Sequence, residues 1–282
     1  MHTVNGVDLA TETFGDPADP AILLIHGGGH SLLNWEEEFV QRLADGRRHV
    51  IRYDSRDAGR STGSPAGAPP HDLRDLVADA AALIEALGVE RAHLVGMSQG
   101  AAIAQLVALD HPDRVATLTL ASSTPGGPGH PYDDLPGMTP ELLAALSAEA
   151  PEPDWHDRAA VIDHLVEAER PFAAAGHFDE PAVRRLAERV AGRSLDIAAQ
   201  LTNPFLLDAG EPWRQRLGQI KAPTLVLHGT DDPFVPVEHG RALAAEIPGA
   251  RFVAMERTGH EVFPRRHWDT VVAAILAHTS SR

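Results

Sequence analysis

The sequence predicts an α/β fold, with a mostly parallel central sheet, helices on both faces and a helical segment before the last two strands. Short apolar runs alternate with segments of helical periodicity along most of the chain, which is typical of strand–helix–strand units. Between residues 124 and 219 the alternation stops, and helical patterns follow a loop rich in glycine and proline. We therefore divide the chain into a core of residues 1–123 and 220–282 and an insertion of residues 124–219. We expect the insertion to cover the functional site as a lid, the alternative being a surface elaboration.

The first half of the chain supplies most of the predicted strands. Residues 3–15, "TVNGVDLATETFG", predict two short strands that turn near Asn5 and Gly6. The continuous apolar run "AILLIHG" at 21–27 predicts a strand covered on both faces. Further predictions are a helix near 34–43, a strand at 49–54, a helix at 73–87 that ends at Gly88, and a strand at 92–95.

The second half continues the alternation on either side of the insertion. A helix buried on most faces follows residue 98, and "ATLTLAS" at 116–122 predicts the next strand. After the insertion, "PTLVLHG" at 223–229 and "ARFVAME" at 250–256 predict two more strands, each followed by a helical pattern.

Composition limits the classes of partner. The 282 residues include 24 basic and 40 acidic side chains, which give a formal net charge of -16. This balance argues against nucleic acid or an anionic membrane surface as the main partner, because both need positive patches. The absence of cysteine excludes disulfides, thiolate catalysis and cysteine-ligated metals. No apolar stretch is as long as a membrane span, and the N-terminal residues lack a signal-peptide pattern, so we expect a cytoplasmic monomer or homodimer.

A candidate nucleophile lies where the strand at 92–95 meets the following helix. The residues Gly96-Met97-Ser98-Gln99-Gly100 fit the pattern G-x-S-x-G. In this pattern a serine is held in a sharp strand-to-helix turn, and the small residues two positions away let neighbouring backbones pass close to it. Ser98 is therefore the predicted nucleophile.

A serine nucleophile needs a base, and the base needs an orienting carboxylate. After the strand at 223–229 come Asp231 and Asp232, and we choose Asp232 because it stands four residues before Pro236. Asp231 is expected to be solvated or to cap the turn. Of sixteen histidines, His260 alone lies in the turn directly after the last predicted strand, so it is the predicted base. We expect structural or packing roles for His93, His228, His267 and His278.

The tetrahedral oxyanion that such a serine forms needs preorganised donors. One predicted donor is the backbone N–H of Gln99, the residue after the nucleophile. The other is the N–H of Gly28 in the "HGGG" loop of residues 26–29, with Gly29 close behind. The alternative is that these glycines only permit a tight turn.

At this point the sequence resembles the α/β-hydrolase fold superfamily and, more narrowly, the small serine esterases of the aclacinomycin methylesterase group. The resemblance rests on "FGDPADPAILLIHGG", "LADGRRHVIRYDSRDAGRST", "LVADAAALIEALGVERAHLVGMSQGAAIAQLVALDHPDR", "APTLVLHGTDDPFVPVEHG" and "ERTGH". It covers most of the core and little of the insertion. It implies hydrolysis of a carboxylic ester without cofactor or metal, through an acyl-enzyme on Ser98, and a polyketide methyl ester is one candidate substrate.

Other reactions on the same three residues stay open: perhydrolysis, lactone opening and carbon–carbon bond hydrolysis. A ligand receptor built on this fold is the remote alternative. A serine at residue 98 argues against dehalogenases and epoxide hydrolases, which need a carboxylate there. We expect Arg56 and Asp57 to form an ion pair or a turn network, and Glu141, Glu167 and Glu169 to be solvated. Predicted substrate contacts are Gly29, Trp35, Met97, Met138, Leu142, Phe172 and Phe205.

Overall fold

The computed structural model describes residues 1–126, 134–148 and 151–280. Its strands are β1 (His2–Val4), β2 (Val7–Leu9), β3 (Thr11–Phe14), β4 (Ala21–Ile25), β5 (His49–Tyr53), β6 (Ala92–Met97), β7 (Val115–Ala121), β8 (Thr224–Gly229) and β9 (Arg251–Met255). Seven of them form one sheet in the order β3-β5-β4-β6-β7-β8-β9. Only the pair β3–β5 is antiparallel, so the predicted mostly parallel sheet is confirmed.

Helices cover both faces of this sheet. In chain order they are α1 (Glu37–Asp45), α2 (Leu73–Ala86), α3 (Gln99–Asp110), α4 (Pro140–Ser147), α5 (Arg158–Glu169), α6 (Glu180–Arg193), α7 (Ile197–Thr202), α8 (Val237–Glu246) and α9 (Trp268–His278). The apolar side chains of α2, α3 and α8 pack on one face, and those of α1 and α9 pack on the other. Every residue of β4, β5, β6 and β8 is buried between these layers, which explains why β4 is a continuous apolar run.

The N-terminal segment contains three strands, so the prediction of two was wrong. β1 and β2 form a hairpin whose turn residues, Asn5 and Gly6, have φ of 48° and 81°, as a two-residue turn between twisted strands requires. The chain then leaves the hairpin at Ala10. The N–H of Ala10 donates to the Ser61 hydroxyl, and its carbonyl accepts from the N–H of Asp54. These bonds to another loop separate β2 from β3.

The helix predicted near 34–43 is divided in two. Ser31 caps a short 3-10 turn, Leu32–Asn34, and the Asn34 side chain accepts from the Ser31 N–H in return. The backbone then turns away from helical geometry at Trp35, with ψ of 88°, and α1 begins at Glu37. The break buries the Trp35 ring in the layer formed by α1 and α9.

The described residues between β7 and β8 contain four α-helices, α4 to α7, and no strand. Each begins at a side chain that accepts a backbone N–H of the first turn: Thr139, Asp157, Asp179 and Asp196. The division of the chain at residues 124 and 219 stays a prediction. Within the described ranges, every helix is too short or too polar to cross a membrane.

Candidate active site

Ser98 is the single residue between the end of β6 and the start of α3, and its backbone is strained. Its φ of 52° and ψ of -118° lie outside the regions that side-chain-bearing residues favour, at a cost of about 1–3 kcal/mol. The surrounding structure holds this geometry. The N–H of Ser98 donates to the Ala121 carbonyl over 2.9 Å, and its carbonyl accepts the Ser123 hydroxyl over 3.1 Å. The turn thus sets Ser98 at the carboxyl edge of the sheet.

The glycines on either side of Ser98 are required by close approach of backbones. A Cβ on Gly96 would stand 2.3 Å from the carbonyl oxygen of Gly100. A Cβ on Gly100 would stand 2.2 Å from the carbonyl oxygen of Ile25, at the end of β4. Neither position has room for a side chain, so α3 can begin directly against the adjoining strand.

Asp232 and His260 meet at the ends of β8 and β9. The Asp232 Oδ2 lies 2.8 Å from the His260 Nδ1. The other oxygen, Oδ1, accepts the N–H groups of Phe234 and Val235 over 3.0 and 2.8 Å. Burial alone would raise the pKa of Asp232, but the charge and hydrogen bond of His260 outweigh burial and hold the pKa below its ordinary value. The carboxylate therefore stays ionised and directs the His260 Nδ1–H inward, leaving Nε2 free to take a proton.

Two aromatic rings fix the orientation of His260. The Phe234 ring stands edge-on to the imidazole with centroids 5.0 Å apart, and the Phe172 ring lies 6.1 Å from it. The His260 N–H donates to the Phe172 carbonyl over 2.8 Å. Gly259 permits this contact, because a Cβ there would stand 2.1 Å from the same carbonyl oxygen. The insertion thereby helps to hold the candidate base.

An oxyanion donor needs an N–H group that is not already bonded to another acceptor, and both candidate donors have one. Within the described residues, the backbone N–H groups of Gly28 and Gln99 donate to no acceptor. The loop that carries Gly28 is shaped by His26, whose Nδ1 lies 2.8 Å from the Gly27 carbonyl and whose Nε2 accepts the Ser55 N–H over 3.1 Å. Burial lowers the pKa of His26 to about 4, so the neutral ring keeps this pattern above that pH.

The insertion is fastened to both walls of this candidate oxyanion site. The Gln200 Nε2 donates to the Gly29 carbonyl over 3.1 Å, while its Oε1 accepts the Gly59 N–H over 3.0 Å. On the other wall, the Gln99 Nε2 donates to the Pro204 carbonyl over 2.9 Å. We call residues 197–205 the strap, since this segment contacts both walls.

Three of the four predicted substrate contacts in the insertion lie near the acid loop, the candidate base or the glycine loop. Phe172 contacts His260, and Phe205 lies so close to the loop that a Cβ on Gly28 would stand 3.5 Å from its ring. Phe205 is also 66% exposed. Leu142 lines a cavity of about 350 Å³ beside Asp231 and Pro233. Met138 is half-buried just before α4. Their contact with a substrate stays a prediction.

The two predicted contacts in the core, Trp35 and Met97, are buried in packing. Trp35 is 1% exposed, and its ring stacks within 6.3 Å of Phe39 and 5.8 Å of Phe263. Met97 belongs to the same apolar cluster and is inaccessible to solvent. Gly29, by contrast, lies in the loop itself, with φ of 77°. Contact of these residues with a substrate stays a prediction.

The rejected histidines have backbone or hydroxyl partners. His93 pairs with the Thr117 hydroxyl, and His267 and His278 pair with the carbonyls of Glu256 and Leu118. His228 differs from them because its Nδ1 has no partner among the described residues. Its Nε2 donates to the Val235 carbonyl and lies 3.7 Å from Asp232 Oδ2. His228 therefore helps to hold the loop that carries Asp232.

Two sequence-based interpretations of charged residues hold only in part. Arg56 pairs with the buried Asp79 over 2.6 Å instead of with Asp57, because Asp57 turns into a separate network with Ser64 and Asn203. Glu169 was expected to be solvated, and its side chain is 41% exposed, but its Oε1 also lies 3.2 Å from the Nε2 of His30. Sequence reasoning missed His30 and Phe234, of which only Phe234 carried a signal, as an aromatic residue inside the acid loop.

The Ser98 hydroxyl makes no hydrogen bond within the described part of the chain, and His260 Nε2 is thus not yet joined to it. Catalytic hydrogen bonds of this kind are often long or misaligned until substrate binds.

Among the described residues, no group of three or more histidine, aspartate or glutamate side chains is arranged to hold a metal ion.

Comparison with known proteins decides the family. The model of the alpha/beta hydrolase fold family matches residues 20–266. The chain belongs to the alpha/beta hydrolase fold family. Rhodomycin D methylesterase DauP of Streptomyces sp. strain C5 is 35% identical over 99% of this chain and 97% of its own length. The predicted α/β-hydrolase fold and the predicted class of enzyme, a carboxylic ester hydrolase, are therefore confirmed.

Other members of the alpha/beta hydrolase family are similar at lower identity. A 2-hydroxy-6-oxononadienedioate/2-hydroxy-6-oxononatrienedioate hydrolase of Paraburkholderia phymatum is 31% identical over 85% of this chain and 80% of its own length. The crystal structure of the enol-lactonase from Burkholderia xenovorans LB400 superposes with a TM-score of 0.74. It is 22% identical, with 99% of this chain and 98% of that chain covered, so it supports the fold alone.

Proposed function

We propose that this protein hydrolyses a carboxylic ester through an acyl-enzyme on Ser98. In this mechanism the Ser98 Oγ attacks the ester carbonyl as His260 Nε2 takes its proton, and His260 then gives that proton to the leaving alcohol. Water attacks the acyl-enzyme with His260 again as base, and the carboxylic acid is released. The N–H groups of Gly28 and Gln99 stabilise the oxyanion in both steps. The observation that carries the proposal is the buried Asp232–His260 pair at 2.8 Å, which follows β8 and β9 of the sheet whose strand β6 ends at the strained Ser98.

The proposed substrate is a methyl ester of a polyketide-like or other apolar small molecule. Rhodomycin D methylesterase, similar over nearly its whole length, supports this class. The apolar side chains of Phe172, Leu142 and Phe205 near the site also favour an apolar acyl group. A cytoplasmic location, with the protein as monomer or homodimer and without nucleic acid as partner, stays a prediction.

The first experiment measures hydrolysis of a panel of p-nitrophenyl and methyl esters by wild type and by Ser98→Ala. We expect steady turnover with an initial burst of alcohol, and a loss of about 10⁴–10⁶-fold in kcat for Ser98→Ala, since a nucleophile removed from such a set of residues costs that much. Ser147→Ala is the matched control, because Ser147 is an exposed serine at the end of α4. Unchanged turnover in Ser98→Ala would exclude the acyl-enzyme.

A second candidate reaction on the same residues is hydrolysis of a carbon–carbon bond. It is favoured by the 31% identity to the Paraburkholderia phymatum hydrolase. Perhydrolysis and lactone opening would use the same acyl-enzyme. A folded protein that hydrolyses no ester but cleaves a 2-hydroxy-6-oxodienoate would support the carbon–carbon reaction. Tight binding of such compounds without turnover would instead favour a ligand receptor.

A further inference from the structure

A histidine and a glutamate outside the three proposed catalytic residues meet beside the nucleophile. His30 directly follows the glycine loop, and Glu169 is the last residue of α5. The His30 Nε2 lies 3.2 Å from the Glu169 Oε1. The His30 side chain is only 15% exposed, whereas Glu169 is 41% exposed. The pair thus joins the core to the insertion at the edge of the site.

The partner of Nε2 determines which nitrogen of His30 carries the proton. Burial would raise the pKa of Glu169, but the hydrogen bond and charge of His30, with the charge of His260, hold it below its ordinary value. An ionised carboxylate only accepts hydrogen bonds, so Nε2 of His30 must donate. When the ring is neutral, Nδ1 then carries a free lone pair and acts as an acceptor.

This acceptor is close to the nucleophile and has no partner. The Nδ1 of His30 is shielded from solvent and makes no hydrogen bond within the described residues. A Cβ on Gly27 would stand 3.5 Å from this nitrogen and 3.4 Å from the Cβ of Ser98, so both atoms border the same side of Gly27. A buried polar atom left unpaired costs about 1–3 kcal/mol, so such an atom in a native structure calls for a partner.

We propose that the Nδ1 of His30 accepts a hydrogen bond from a hydroxyl that the substrate carries close to its ester group, with Glu169 as the positioning residue. The inference rests on the proposed ester hydrolysis and names a narrower class of ester for it. A contact that only fastened the insertion would be complete with Nε2 and Glu169, and it would not need Nδ1 to face Gly27 and Ser98. Because a site built to pair with a hydroxyl penalises substrates that lack one, His30 acts on specificity.

The test compares matched esters with and without the hydroxyl. On the acyl side the pair is ethyl 3-hydroxybutyrate and ethyl butyrate, and on the alcohol side it is 2-hydroxyethyl butyrate and propyl butyrate. For wild type we expect kcat/KM to favour the hydroxylated member of one pair by about 10-fold, the worth of one hydrogen bond. His30→Leu should lower kcat/KM on the hydroxylated ester about 10-fold more than on its hydroxyl-free partner, so that the preference is lost.

Two further variants separate this role from a structural one. His30→Asn keeps an acceptor atom where Nδ1 stands and should restore part of the preference. Glu169→Gln should weaken the preference, because an amide no longer fixes which ring nitrogen carries the proton. Glu167→Gln is the matched control, since Glu167 pairs on the surface with Arg170.

Failure of this inference is distinguishable from failure of the proposed function. An equal fall for both members of each pair in His30→Leu would show a fastening role only and would overturn the inference. The same holds if wild type shows no preference for a hydroxyl on either side. In both cases hydrolysis of ethyl or propyl butyrate, abolished by Ser98→Ala, would leave the acyl-enzyme intact.

Discussion

The acid loop places one carboxylate in the interior and its neighbour in solvent. The Asp232 side chain is buried and receives the His260 Nδ1–H together with two backbone N–H groups. Asp231 is exposed and lines the cavity beside Leu142. The two adjacent carboxylates thus differ in burial and in contact with His260, so substitutions of Asp231 and Asp232 can be compared as a matched pair.

Asp232→Asn should lower kcat for ester hydrolysis by about 10⁴-fold, because an amide can turn the imidazole to the wrong tautomer. Asp231→Asn should change kcat less than twofold. Steady-state kinetics on one p-nitrophenyl ester measure both, and circular dichroism confirms that both variants are folded. A large loss in Asp231→Asn with little loss in Asp232→Asn would reverse our assignment of the acid.

Single residues could be predicted only where local pattern carries the information. Ser98 and Asp232 stand in short stretches whose spacing is itself the signal. The contact of Glu169 with His30 joins positions that lie 139 residues apart, and no local pattern encodes it. Arg56 shows the same limit, since its partner Asp79 was farther along the chain than the adjacent Asp57.

Elements are positioned at the site by glycines that admit no side chain. α3 begins against the end of β4 because Gly100 lies there, and β8 reaches the base loop because a Cβ on Gly229 would stand 2.2 Å from the Thr258 carbonyl oxygen. These contacts are backbone to backbone, so they cannot relax by a rotamer change. The elements would have to move apart.

Gly100→Ala should lower the free energy of unfolding by about 1–3 kcal/mol, the usual cost of overpacking. It should also lower kcat, since the displaced carbonyls belong to Ile25 and His26, at the start of the oxyanion loop. Gly218→Ala is the control, because nothing lies within 4 Å of a Cβ there. Urea unfolding of the three proteins measures the difference. Equal stability of wild type and Gly100→Ala would contradict the close approach.

The strap gives a second prediction at this scale. Gln200→Leu leaves the Gly29 carbonyl and the Gly59 N–H without their partner, so we expect a loss of about 1–3 kcal/mol in stability. We expect kcat to fall more than KM rises, because the oxyanion loop loses its support. Gln41→Leu serves for comparison, since Gln41 makes only an exposed bond to Asp45. A change in KM alone would assign the Gln200 side chain to substrate binding.

Elements with long apolar runs were predicted well, and those set by polar contacts were not. β4 and β8 are bounded in the sequence much as in the structure, because burial on both faces leaves a clear apolar signal. The separation of β3 from β2 depends on bonds from Ala10 to Ser61 and Asp54, which the local sequence does not reveal.

At the scale of the whole molecule, the interior holds an unusual set of histidines. Burial lowers the pKa of each of them: His26, His49, His71, His93, His228 and His278. For His26 and His93 the pKa falls from 6.5 to about 4. Between these two values the unfolded chain binds protons that the folded protein does not. The stability from keeping these rings neutral is therefore complete above pH 6.5 and is lost as pH falls toward 4.

His93→Asn should make the free energy of unfolding less dependent on pH. Between pH 7.5 and 5 the wild type should lose about 2 kcal/mol more than the variant, because the amide of the variant cannot bind the proton that the wild-type imidazole takes up on unfolding. Urea unfolding at both pH values measures this difference. His156→Asn, at an exposed position, should follow wild type. Parallel pH dependence of wild type and His93→Asn would contradict a neutral, buried His93.

The strap also bears on how such a protein can be altered by recombination. One wall of the proposed oxyanion site is tied to it through Gln200 and the other through Gln99 and Pro204. If the whole insertion were replaced by that of a relative, the hydrogen bonds at Gln200 and at Pro204 would both be lost, although no residue of the core had changed. A chimera that acquires a new specificity should therefore keep residues 197–205 with its parent core and exchange only the helices before them. Because of its hydrogen bonds to the core, the strap belongs functionally with the proposed catalytic residues, although in chain order it is part of the insertion.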